Sequence, residues 1–430
     1  MKTLRYHSLA IGIFLISVLG FSNCTGGEKI KTVLAEDLNN SDTYKGAYVT
    51  GEYPNLFKEL LNKSDAEVED KLKDVYQQLF YGNDENQRIY YPVGSDMAYI
   101  EDVNNNDVRT EGMSYGMMVA VQLNKKAEFD RLWKWAKTFM QHKDGPSKYY
   151  FAWHCKTNGE VISPGSASDG EEWFVTDLFF ASARWGDGEG IYNYKQEAQS
   201  ILDAMLSKTD SSNDSKDVTN LFNKQNKQIV FVPDGGADDF TDPSYHLPHF
   251  YDIWAECADK ENDFWKECAD SSRKFMHKAV NPETGLAPDY AKFDGTPYNP
   301  WGGGNDKFQY DAWRVAMNVA VDYMWFAKDQ WEVAQSNRLL NFFYSKGIKT
   351  YGNIFSLDGK NSSGDHSVGL LTANAVAALA STNENRKEFV EQLWDAKIPT
   401  GKYRYYDGIL YLLGLLQTSG NFKVYKCANQ

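Results

Sequence analysis

A barrel of six inner and six outer helices is the fold this sequence predicts, and three observations carry it. Amphipathic segments alternate strictly with segments that are apolar nearly all round, sustained strand alternation is scarce, and the long polar loops precede members of the second set. Charged and apolar residues at three- and four-residue steps mark helices with one wet face near 64–80, 126–141, 193–208, 262–280, 329–346 and 384–396. Between them, segments richer in Gly, Ala and aromatics begin near 112 (GMSYGMMVAVQLN), 171 (EEWFVTDLFFASARW), 245 (YHLPHFYDIWAE), 311 (DAWRVAMNVAVDYMWFA), 367 (SVGLLTANAVAALA) and 407 (DGILYLLGLL). Helices of that second kind belong in an interior. A stack of helical repeats would show a fixed period, whereas these starts are irregularly spaced and share no motif. The expected architecture is an all-α (α/α)6 barrel in one domain over residues 53–430.

Ahead of the barrel, Lys2 and Arg5 precede an apolar run from Leu9 to Phe21 that closes on Ser22-Asn23-Cys24. This is the pattern of an export signal over 1–23, and the run is too short to span a bilayer. Cys24, followed by Thr-Gly-Gly, resembles the lipid-modified cysteine of bacterial lipoproteins, although Phe21 and Asn23 replace the usual Leu and small residue. The expectation is an exported protein of a Gram-negative bacterium. It is either anchored to the outer membrane through lipidated Cys24 or free in the periplasm, with polar residues 24–52 as a tether or arm.

A formal charge of −14 argues against a nucleic-acid partner, because phosphate binding is built from Lys and Arg. Twelve Trp, 27 Tyr and 24 Phe suit a groove that stacks flat rings, or serve as packing. Cysteines 155, 257, 268 and 427 have no zinc spacing, and Cys257 and Cys268 are placed to bridge neighbouring helices if their Cα atoms approach. His246 and His249 lie three apart on an expected helix. With no third ligand nearby, structural or substrate contacts are expected of them rather than a metal. Asp102, Asn104 and Asn106 follow the start of an EF-hand loop, but its sixth and twelfth positions hold Asp107 and Met113 instead of Gly and Glu.

Long loops gathered at one end of a barrel make its functional face. Three acids stand where those loops meet inner helices: Glu111, Asp169 and Asp311. Helix capping is the plain account of each one taken alone. Glu is not a favoured N-cap residue, however, and three acids sit beside Trp153, Trp173, Trp301, Tyr310 and Trp313. Two facing carboxyls in an aromatic groove suit glycosidic bond hydrolysis, one keeping a proton for the leaving oxygen and the other ionised to take one from water. A helix N-terminus lowers a carboxyl pKa, so a proton-holding Glu111 needs apolar walls or a nearby carboxylate.

RTEGMSYGMM, SASDGEEWF, FTDPSYHLPHFYDIWA, GGGNDKFQYDAWRVAMN and GDHSVGL resemble the successive motifs of glycoside hydrolase family 8, in the family's order across nearly all of 50–420. The resemblance implies an (α/α)6 barrel and an inverting mechanism on β-1,4-linked glycans, without metal or cofactor. By the same resemblance Glu111 is the general acid and Asp311 the general base. Asp169 grips the sugar on the non-reducing side, Tyr245 helps hold the attacking water, Arg314 lines that pocket and Trp153 is a stacking platform. The subgroup most similar to this chain removes one xylose from the reducing end of xylo-oligosaccharides, where a short turn containing His closes the product side of the cleft. His366 falls in that turn, within Asp365-His366-Ser367 instead of the subgroup's Leu-His-Pro. The expected partner is thus a xylo-oligosaccharide, met by a monomer. An endo-acting β-1,4-xylanase is the alternative within the family. A non-catalytic glycan-binding lipoprotein is the alternative outside it, and would not need Glu111 and Asp311 together.

Overall fold

The computed structural model describes residues 44–427; the signal segment and Cys24 lie outside the described residues. The compact body starts at Lys45, ahead of the boundary expected at 53. Two short helices, α1 (Ala47–Thr50) and α2 (Leu56–Leu61), lead in. The outer helices are α3 (Asp65–Tyr81), α5 (Lys126–Trp135), α7 (Tyr194–Leu206), α9 (Asn262–Ala279), α11 (Trp331–Ser345) and α13 (Arg386–Asp395). Alternating with them are α4 (Thr110–Gln122), α6 (Ser168–Trp185), α8 (Pro248–Cys257), α10 (Arg314–Phe326), α12 (Val368–Ala377) and α14 (Tyr406–Thr418), buried on nearly every side. Each even-numbered helix from α4 touches the next, and α14 returns to α4, which closes the inner ring of an (α/α)6 barrel.

Local chemistry sets the helix limits. Ser64 and Glu67 form a reciprocal capping box that starts α3. The segment expected over 126–141 divides instead: α5 stops at Trp135 and the chain widens into a π turn, Ala136–Met140, where the Thr138 hydroxyl donates to the Lys134 carbonyl at 2.6 Å. The third inner helix begins later than expected. A 3-10 turn, Pro243–Tyr245, precedes it, and Pro248 at its first position needs no N–H partner. The fourth is likewise preceded by a 3-10 turn, Tyr310–Trp313. Strands are short, and one antiparallel sheet matters for the site: β1 (Tyr90–Val93) and β2 (Met97–Ile100) pair by themselves, while β3 (Asp107–Arg109), β4 (His154–Lys156) and β5 (Val161–Ser163) pair in that order beside the start of α4.

Cys257 does not bridge to Cys268. It is bonded to Cys427, with Cα atoms 5.6 Å apart, because the carboxy-terminal tail runs back past α8. Cys268 is a buried free thiol on α9. His246 sits outside the helix, its ring between the hydroxyls of Ser272 (2.9 Å) and Thr241 (3.0 Å), and burial pushes it down to about 3, so it is neutral. His249 packs edge-on to Trp325. Both histidines make structural contacts. The aromatic excess serves two ends: Trp133, Trp135, Trp254, Trp265 and Trp325 are fully buried core, whereas Tyr310 and Tyr403 stay about half exposed at the cleft.

Candidate active site

One guanidinium joins the three acids. Arg314, buried at the head of α10, reaches Glu111 Oε2 at 3.0 Å, Asp169 Oδ2 at 3.3 Å and Asp311 Oδ1 at 3.0 Å. It also donates to the Tyr115 hydroxyl (2.7 Å) and Ser244 Oγ (3.0 Å). Glu111 and Asp169 occupy the first turns of α4 and α6, where Asp169 Oδ1 also accepts from the Gly170 N–H at 2.9 Å. Their approach depends on absent side chains. A Cβ on Gly170 would lie 2.5 Å from Thr110 Cβ, and one on Gly112 would lie 2.6 Å from the Tyr405 ring. The second gap lets the Tyr405 hydroxyl donate to Glu111 Oε1 at 3.0 Å.

The acids differ in their access to water. Burial pushes the Glu111 carboxyl up; Arg314 opposes this and the Asp311 charge adds to it. Burial and the Asp311 charge act in the direction a proton-holding role requires, against the helix N-terminus. Burial also raises Asp169, to about 7, again against Arg314 and with help from the Glu111 and Asp311 charges. Asp311 is the most open of the three, its side chain 31% exposed against 18% for Glu111 and 7% for Asp169. It follows Tyr310, whose φ of +30° is strained for a bulky residue.

A cleft of about 520 Å³ opens over this centre. Asp102, Asn105, Arg109 and Glu111 form one side of its lining, and Tyr310, Asp311, Trp313, Asn353, Ser367, Tyr403 and Tyr405 are among the rest. The loop with the EF-hand-like start contributes here through its own bonds: Asp102 accepts from Asn104 N–H (3.1 Å) and Asn105 Nδ2 (2.7 Å) and pairs with Arg109 at 3.1 Å.

Of the residues singled out from sequence, Tyr245 stands with its ring 5.8 Å from the Arg314 guanidinium and belongs to the centre. Trp153 is half-buried behind Arg109, whose guanidinium lies 5.7 Å from its ring, and its carbonyl accepts from the Thr110 N–H at the start of α4. His366 is partly buried, with Nδ1 3.0 Å from the Tyr351 carbonyl and its ring edge-on to Tyr351; its neighbour Ser367 is the residue that lines the cleft. Sequence reasoning missed Tyr405 and Tyr115. The loop TGKYRYY was recognisable as part of the cleft face, but nothing in it says which tyrosine reaches Glu111.

The glycosyl hydrolases family 8 model matches residues 93–420. The chain is 47% identical over 387 residues to the reducing-end xylose-releasing exo-oligoxylanase Rex8A of Paenibacillus barcinonensis, covering 89% of this chain and 99% of that protein. It is 43% identical over 388 residues to the reducing end xylose-releasing exo-oligoxylanase of Halalkalibacterium halodurans, covering 89% and 97%. A crystal structure of a family 8 catalytic mutant xylanase from Teredinibacter turnerae in complex with xylohexaose superposes with a TM-score of 0.85 at 46% identity, covering 88% of this chain and 100% of that one.

Proposed function

The chain belongs to glycosyl hydrolases family 8, and from that premise we propose that it removes single xylose units from the reducing end of β-1,4-xylo-oligosaccharides with inversion. The observation that carries the reading is the Arg314 centre, where an upward-shifted Glu111 and a water-accessible Asp311 share one guanidinium. The exo-oligoxylanases among its relatives support the choice of substrate and bond.

In this reaction Glu111 gives its proton to the glycosidic oxygen as the bond to the leaving xylose breaks. The Tyr405 hydroxyl, able to donate or accept, stays bonded to the carboxyl in both protonation states. Asp311 takes a proton from a water on the opposite face of the ring, and that water's oxygen joins the anomeric carbon, inverting it. Tyr245 borders the space for this water. Asp169, which titrates near neutrality in its buried site, holds hydroxyls of the sugar on the non-reducing side. Arg314 keeps its charge throughout and opposes protonation of Glu111 and Asp169 against the effect of burial.

The bond from His366 to the Tyr351 carbonyl fixes the turn that would close the product side, which supports end-specific action despite Asp365 and Ser367 in place of Leu and Pro. A time course on xylotetraose labelled at its reducing end tests this. Early labelled xylose beside unlabelled xylotriose is the expected result, and early labelled xylobiose would replace the exo reading with an endo-acting one. Export and lipid attachment at Cys24 are part of the proposal. Incorporation of labelled palmitate that disappears in Cys24→Ser is the expected outcome, and equal labelling of the variant would remove the anchor.

A further inference from the structure

Asp289 lies in the loop between α9 and α10, plays no part in the steps above, and is only 4% exposed. Its backbone N–H donates to the Lys307 carbonyl at 2.8 Å, and the next amide, Tyr290, donates to the Asn305 carbonyl at 2.8 Å. Its carboxylate Oδ2 accepts from Asn305 Nδ2 at 3.2 Å and from Gln309 Nε2 at 3.0 Å. Main chain and side chain of this short stretch thus grip 305–309, the segment that runs directly into Tyr310 and Asp311.

The gripped segment needs holding. Tyr310 keeps its φ of +30° only if its surroundings fix it. On the other side Phe308 and Phe355 exchange both backbone bonds (3.0 and 2.9 Å), and the Tyr310 carbonyl accepts from the Tyr406 hydroxyl at 3.1 Å. Asp289 supplies the remaining side. Burial and then the charge of Asp311 raise its carboxyl to about 7, against the pull of the Gln309 and Asn305 amides.

We infer that Asp289 is a positioning residue for Asp311: by holding the residues that precede the base, it sets where the base's carboxylate points and where the attacking water is held. The inference rests on Asp311 being the base. Displacing a base by a fraction of an ångström costs turnover far more than binding, because the substrate's other contacts are untouched.

The test compares Asp311→Asn, Asp289→Ala, Asp289→Asn and Gln309→Ala in the full chain, with kcat and KM on xylotetraose and the thermal midpoint of each. Asp311→Asn should be inactive; activity retained there would remove the base assignment, and the role of Asp289 with it. With Asp311→Asn inactive, Asp289→Ala should lose about ten- to hundred-fold in kcat with KM within about two-fold. Asp289→Asn keeps an acceptor for the amides and should restore kcat to within about three-fold. Gln309→Ala, at a half-buried side chain, should fold normally and lose about three- to ten-fold in kcat. A folded Asp289→Ala or Gln309→Ala with kcat within about two-fold of the parent overturns the inference. So does a loss in which kcat, KM and the thermal midpoint all worsen and Asn rescues none of them. If Asp289→Ala fails to fold, Gln309→Ala decides alone.

Discussion

Arg314 on α10 and Arg273 on α9 each hold carboxylates in the interior. Arg273 meets Asp322 through two parallel bonds, Nε to Oδ2 at 2.7 Å and Nη2 to Oδ1 at 2.6 Å, and meets Asp252 at 2.6 Å. Arg314 divides itself among three acids, with one contact to each. The consequences are opposite. Burial would push Asp322 up, but the Arg273 charge and its bonds pull it below the usual carboxylate range. Glu111 and Asp169 stay above that range because a shared guanidinium cannot repay the burial of each. A fork that meets one carboxylate through two parallel bonds makes a brace, and a fork spread singly over three leaves protons available for chemistry.

The widest difference between the two sites should appear in turnover. Glu111→Gln is expected to lower kcat on xylotetraose by about 10³- to 10⁴-fold with an unchanged thermal midpoint; activity near the parent's would leave the Arg314 site with no claim to chemistry. At the other site, Arg273→Met should cost about 3–5 kcal/mol in denaturant unfolding, since it strands buried Asp322 and Asp252, while kcat stays the same. A smaller effect sharpens the contrast through pH. Asp169 has its pKa raised from the ordinary value to about 7, so its contribution to stability is present at low pH and is lost as pH rises through about 7. Asp322 has the reverse sign: its contribution is present above the ordinary carboxylate pKa and is lost as pH falls through its depressed value. Asp169→Asn should therefore stabilise the protein at pH 8 by about 1–3 kcal/mol and change little at pH 4.5, measured by thermal unfolding at both. The smallest shift is expected from Tyr405→Phe. Its hydroxyl lowers the Glu111 pKa, so its loss should move the alkaline limb of the kcat/KM profile up by about half a pH unit.

The brace and the centre were not equally visible in the sequence. The inner and outer helices were legible because a stripe of apolar residues and an all-round apolar surface leave different patterns, and the structure follows them to within a few residues. The three acids were legible because each stands where a polar loop turns into an apolar helix, and the family motifs name them. The same motifs placed Arg314 in the pocket beside Asp311. That it gathers all three acids depends on how α4, α6 and α10 meet, which no local pattern encodes. Tyr405 reaches Glu111 across most of the chain through a gap left by Gly112. Asp289 looks like any loop aspartate until the segment it holds is seen. Cys427 was no better a candidate partner for Cys257 than Cys268, because the tail's return path is a tertiary fact. The π turn and the strained Tyr310 are local departures that helical periodicity averages away.

The Cys257–Cys427 bond joins residues 170 apart. Near it the Val424 N–H bonds the Tyr53 hydroxyl, and Lys423 N–H bonds Gln122 Oε1. Residues 423 and 424 thus lie against Gln122 and Tyr53, far earlier in the sequence. Synthesis reaches Cys427 only after all the ring helices, α14 (Tyr406–Thr418) included, have been made, so the bond fastens like a buckle on a belt already laid round. In the chain-entropy picture a closure of this span is worth about 5 kcal/mol, all of it withheld until the thiols are oxidised. A copy made in a reducing compartment, or one with Cys427 replaced by Ser, would carry every residue of the cleft and still be an unfastened belt.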